Sequence, residues 1–147
     1  MSGDITSGVL ITEFDTGSDL HAVNANAVLN EDVYIITGAK TFITSGQLVD
    51  LLTVVTKKDL AAGAKGTILF LVEVGTLSFE KGMKLKKLVS RLKIPQIYYF
   101  NNVMMPLEYL LGQKGMSFVH LMYRLTQRHL SVALGVIANT KVFSIYV

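Results

Sequence analysis

The sequence predicts a mainly β fold, an antiparallel barrel or sandwich, followed by one long C-terminal helix. Three observations carry that expectation. Between residues 9 and 103 the apolar residues come in short runs broken by glycine and asparagine. No G-x-G-x-x-G or Walker pattern marks alternating β and α units. From Met116 onward, apolar residues recur at spacings of three and four. A chain of 147 residues buries roughly two thirds of its extended surface, enough for a true core.

Taken in order, Val9 to Thr12 is the first apolar run. His21 to Leu29 alternates, with Val23, Ala25, Ala27 and Leu29 on one side and Asn24 and Asn26 on the other. The turn Asn30-Glu31-Asp32 then leads into Val33 to Thr37, which is a hairpin pattern. Lys40 to Thr44, Asp50 to Lys57, Thr67 to Val74, a short piece near Phe79 and the aromatic run Gln96 to Val103 complete the strands, with turn-rich Lys58 to Gly66 between two of them. In the helix, Phe118, Met122, Leu125, His129, Val132 and Val136 form a stripe that Leu121 and Leu130 widen. Run on to Tyr146, it would reach on the order of 45 Å at ~1.5 Å per residue, longer than a small barrel needs as a lid. Part of it therefore packs on something else. The division expected is a β unit over 1–112 and a helical segment over 113–147.

Composition narrows the function. Half the residues are hydrophobic and 17% charged, a folded rather than a disordered balance. A net charge of +3 is too small to imply nucleic acid. With no cysteine, disulfides, thiolate nucleophiles and cysteine metal sites are excluded, and His21, His120 and His129 match no metal-ligand spacing. The tail from Leu130 to Val147 is apolar, but Asn139 and Lys141 interrupt it and it falls short of the ~20 residues a span needs. It reads as a buried helix of a larger assembly or an oligomer contact. Met1 to Gly8 lacks the basic flank and apolar core of a signal peptide, which allows a cytoplasmic location. The basic run Lys81, Lys84, Lys86, Lys87, Arg91 and Lys93 reads either as a solvated loop or as a phosphate contact.

Two stretches carry residues suited to chemistry. In Ile11 to Leu20, ITEFDTGSDL, Gly17 lets backbone approach a ligand and the Ser18 hydroxyl can donate to a phosphate oxygen; the same residues also make an ordinary capped turn. In Gly38 to Gly46, GAKTFITSG, Phe42 and Thr44 share one face of a strand. An aromatic beside a hydroxyl suits a planar heteroaromatic ring with an acceptor nitrogen, and equally a core phenylalanine next to a strand threonine.

These two blocks, with NNVMMP at Asn101 to Pro106 and LLG at Leu110 to Gly112, stand in the order and spacing of the acyl-CoA dehydrogenase family. The chain resembles that family's middle β domain plus the first helix of its C-terminal domain, over about residues 9 to 138 and about a third of a full member. The resemblance implies FAD as cofactor and the 2,3-dehydrogenation of acyl-CoA thioesters. By it, Ile11 and Thr12 would line the flavin ring, Ser18 would reach the pyrophosphate, Phe42 would stack beside the isoalloxazine and Thr44 would lie at N5. A phosphate of acyl-CoA would fall near Lys84 or Lys87. The family base, a glutamate, stands in some members within Q-E-R-L on the helix, where this chain reads Gln127-Arg128-His129-Leu130. Arg128 stays protonated, so no catalytic residue is assigned. Phe14, Ser45, Ile94-Pro95 and Ser117 also depart from the family pattern. The expectation is a truncated flavoprotein, incomplete by itself, that acts as a homo-oligomer or with a complementing chain. The alternative is a noncatalytic binding or assembly module that dimerises through its apolar helix. By family analogy the location is mitochondrial.

Overall fold

The computed structural model describes residues 4–43, 48–84, 96–112 and 115–143. Among the described residues, seven strands form one curled, largely antiparallel sheet, a half-barrel, and a single long helix follows. The strands are β1 (Ser7–Leu10), β2 (Asn26–Asn30), β3 (Val33–Ile43), β4 (Leu51–Lys57), β5 (Thr67–Glu73), β6 (Phe79–Lys84) and β7 (Gln96–Pro106); the helix is α1 (Ser117–Phe143). The path runs β1-β4-β2-β3-β7-β6, with β5 paired to β4 along its length. Among the described residues, β1 with β4, and β2 with β4 at Asn26 and Lys57, are parallel, and the other pairings are antiparallel.

The hairpin expected after Asn30 forms, with Asn30 facing Val33 across Glu31 and Asp32, and Glu31 takes a φ of 53° to close it. Two predicted runs, Val33 to Thr37 and Lys40 to Thr44, merge into the one strand β3 because β7 supplies partners along both. The predicted strand from His21 begins only at Asn26. Asp19 caps a short 3-10 turn at Leu20–Ala22, its carboxylate accepting from the His21 amide at 2.9 Å. Likewise β1 ends at Leu10 instead of continuing to Thr12.

Period-two burial makes the core. Tyr34 and Ile36 of β3, Leu52 and Val54 of β4, Phe70 and Val72 of β5, and Tyr98, Phe100 and Val103 of β7 are buried together. Tyr34 meets Phe70 edge-on at 5.2 Å, and Phe79 stacks on Tyr98 at 5.0 Å. In α1, Leu121 joins a smaller cluster with Val55 and Leu69, flanked by Ile11, Leu20, Met122 and Leu125. Every residue from Thr126 to Lys141 is exposed, including Leu130, Val132, Val136 and Ile137. The helix therefore packs through its first turns and projects beyond the sheet. Among the described residues, no helix is long and apolar enough to cross a membrane and no cluster of potential metal ligands occurs.

Candidate flavin-site walls

The segment after β1 is tied to β3 by an ion pair in the protein interior. Lys40 is fully buried and its Nζ donates to Glu13 Oε1 at 2.8 Å and to the Ile11 carbonyl at 3.0 Å. The Glu13 carboxylate also accepts from the Asn24 amide at 2.7 Å and the Ala25 amide at 2.9 Å. One residue further along β3, the Thr41 amide donates to the Thr12 carbonyl at 2.8 Å. Burial pulls the Lys40 pKa below its ordinary 10.5, opposed by the charge and hydrogen bond of Glu13. The segment closes on itself as well: Glu13 N donates to Thr16 O at 2.9 Å and Thr16 Oγ1 to Ala22 O at 2.8 Å.

Beyond this anchored segment lies a cavity of about 520 Å³, open on one side. Ile11, Thr12 and Ser18 line it, joined by Gly17, Asp19, Leu20 and His21 of the same segment. The opposite wall is α1, through Phe118, Met122, Leu125, Thr126 and His129. Apolar side chains thus alternate with the hydroxyls of Thr12, Ser18 and Thr126, a lining suited to a flat, partly apolar molecule with polar edges. Nothing lies within 4 Å of a Cβ built on Gly17, so backbone there is open to a ligand. Asp19 is the one carboxylate on the walls among the described residues, and it caps the His21 turn. Arg128 is exposed and does not border the cavity. A second cavity of about 330 Å³, lined by Tyr34, Lys58, Lys65 and Ser117 among others, includes none of the predicted residues.

Phe42 does not border the first cavity; it stands 60% exposed at the end of β3, next to Thr41, whose amide holds the Thr12 carbonyl of the cavity wall. Between Lys40 and Ile43 the register with β7 slips by one residue, and Phe42 takes a φ of 58°. Positive φ in a bulky residue costs on the order of 1–3 kcal/mol, and such strain concentrates at ligand sites. This bulge interrupts the simple alternation that puts Phe42 and Thr44 on one face. Thr44 itself, like Ser45, Lys86, Lys87, Arg91, Lys93 and Ile94-Pro95, lies outside the described residues.

Sequence reasoning missed the Glu13 and Lys40 pair and the helical wall residues Met122, Leu125 and Thr126. A signal for the first existed: Lys40 has the same parity along β3 as buried Tyr34 and Ile36, and a lysine at a core position requires an anionic partner. Beside it, Thr41 Oγ1 is buried without a hydrogen-bond partner among the described residues. Thr41→Val removes that orphan at nearly constant volume and is expected to raise the unfolding free energy by about 1 kcal/mol in urea denaturation.

The family model for the acyl-CoA dehydrogenase middle domain matches residues 8–100. The mitochondrial long-chain specific acyl-CoA dehydrogenase of Rattus norvegicus is 37% identical over 134 residues, 90% of this chain and 31% of that protein. The cyclohex-1-ene-1-carbonyl-CoA dehydrogenase of Syntrophus aciditrophicus is 40% identical over 111 residues, 76% of this chain and 27% of that one. Among solved structures, an acyl-CoA dehydrogenase from Geobacillus kaustophilus superimposes with a TM-score of 0.84 at 36% identity, covering 89% of this chain and 35% of its own. The chain thus spans about a third of the length of the relatives it matches.

Proposed function

The chain belongs to the acyl-CoA dehydrogenase family, whose middle domain it carries, and on that premise we propose that it binds FAD along the segment Ile11 to Ser18 and the end of β3. The observation that carries this reading is the cavity that gathers Ile11, Thr12 and Ser18 opposite the first turns of α1. Ile11 and Thr12 hold the edge of the isoalloxazine, Ser18 and the open backbone at Gly17 receive the pyrophosphate, and Phe42 packs beside the ring. Thr44 is assigned to flavin N5 from the sequence resemblance. Bound FAD supplies the electron acceptor for 2,3-dehydrogenation of an acyl-CoA thioester.

The protein's own contribution is binding and orientation. Removal of the C2 proton needs a carboxylate held in line with the acceptor, and among the described residues the walls offer only Asp19, already engaged with the His21 amide. Arg128 cannot serve as a base. Turnover therefore requires a carboxylate from elsewhere, in a longer form of the protein or from another chain, and acyl-CoA is the substrate class. By analogy with the rat relative, the location is mitochondrial.

The test is a fluorescence titration with FAD. Wild type is expected to bind saturably. Phe42→Ala and Thr44→Ala are each expected to weaken binding about tenfold, the loss of one stacking face or one hydrogen bond to the ring. Equal affinity in wild type and both variants would remove β3 from the site. A second reading, a noncatalytic module that self-associates, is favoured by one observation: Leu130, Val132, Leu134, Val136 and Ile137 are each at least 58% exposed on α1. Its signature is a dimer that forms with no affinity for FAD.

A further inference from the structure

We infer that the buried Glu13 and Lys40 pair is a positioning device for the flavin site: it locks the cavity-lining segment to the end of β3, setting where Ile11 and Thr12 stand relative to Phe42. This role rests on the flavin reading above.

The strand β1 stops at Leu10. After Leu10 no strand ladder holds the chain, yet Ile11 and Thr12 must form a fixed wall. Their two carbonyls are held from consecutive positions of β3, Ile11 O by the Lys40 ammonium at 3.0 Å and Thr12 O by the Thr41 amide at 2.8 Å. The lysine side chain thus takes over the ladder's work at the point where the ladder ends. Glu13 extends the hold in the other direction, since its carboxylate accepts from Lys40, Asn24 and Ala25. Three segments distant in sequence meet at one carboxylate, and Phe42 follows only two residues after Lys40.

Stability alone is a poor account of the pair. Taking two charges out of water is costly, and apolar residues of similar volume commonly serve a core as well or better. What an apolar pair lacks is direction: it cannot fix a particular carbonyl or a particular pair of amides. A wall that must hold a planar ligand within a fraction of an ångström needs that kind of support.

The test uses the double variant Glu13→Gln/Lys40→Met, which removes both charges together. The Asn24 and Ala25 amides donate to different oxygens of Glu13, so the glutamine carbonyl keeps one of these bonds while its NH2 faces the other amide, loosening the same segment. Expected are wild-type amide protection in β4 and β5, faster hydrogen exchange at Thr41, and FAD affinity reduced about tenfold with a shifted visible absorption band of the bound flavin. Glu13→Gln alone is the second variant: it leaves the Lys40 ammonium buried without its counter-charge, so it is expected to lose stability as well as to weaken FAD in the same direction, with affinity read under conditions where the variant is folded. Wild-type affinity and an unshifted band in these variants would overturn the positioning role. Failure of wild type itself to bind FAD would instead overturn the flavin reading, and this role with it, before any variant is compared.

Discussion

Lys40→Met alone lowers the unfolding free energy by about 3–5 kcal/mol, the cost of leaving a buried carboxylate without its counter-charge. The geometry dictates the size. Glu13 is 7% exposed, and besides Lys40 it accepts from two backbone amides, which satisfy lone pairs but carry no net charge. Water cannot readily replace the ammonium at a site where Lys40 is 0% exposed. Ile11 loses its carbonyl partner in the same step, so the defect spreads from the core to the cavity wall. Urea denaturation is the measurement, and adding Glu13→Gln to the variant is expected to recover part of the loss, since the buried charge is removed while one of the Asn24 and Ala25 amides loses its acceptor. Equal stability of the single and double variants would mean that the carboxylate finds another partner or protonates at little cost.

Gly38→Ala has an effect of comparable size, roughly 3 kcal/mol or more, from strain and overlap together. Gly38 takes a φ of 150°, and a Cβ built there falls 2.7 Å from Ala25 Cβ and 2.8 Å from Ala25 Cα. The second contact is backbone, so a side-chain rotation does not relieve it. Ala25 cannot retreat freely either, because its amide is bound by Glu13 and its carbonyl accepts from the Lys57 amide at 2.8 Å. The glycine that introduces GAKTFITSG therefore serves close approach to another part of the same chain. Gly17→Ala, with open space around the Cβ, provides the control: within about 0.5 kcal/mol of wild type in the same denaturation experiment.

The sequence conveyed most of the architecture because the side chains of the main core recur with a period of two, as Tyr34 and Ile36, Leu52 and Val54, and Phe70 and Val72 do, and with a period near 3.6 in the first turns of α1. Ala25, Ala27, Tyr34, Ile36, Leu52 and Val54 could be placed on inner faces from that pattern. It failed where side chains compete with the ladder. Asp19 converts the predicted start of β2 into a capped turn, and Lys40 replaces the continuation of β1 with a single side-chain contact. Ile11, Thr12 and Ser18 were legible as site candidates through the resemblance, and the fold places them around one cavity. The helical wall was not legible, since Met122 and Leu125 read simply as part of an apolar stripe. Nor was the bulge at Phe42, because a register slip depends on the length of the partner strand β7 and leaves no local mark in the sequence.

The most direct test of the account is to add FAD to isotope-labelled protein and follow each backbone amide by NMR. Saturable shifts are expected at Ile11, Thr12, Gly17, Ser18 and Phe42 and in the first turns of α1, with Leu52, Val54 and Val72 of the sheet interior unchanged. Shifts confined to the cavity beside Lys58 and Lys65, or no shifts at all in the folded protein, would contradict it.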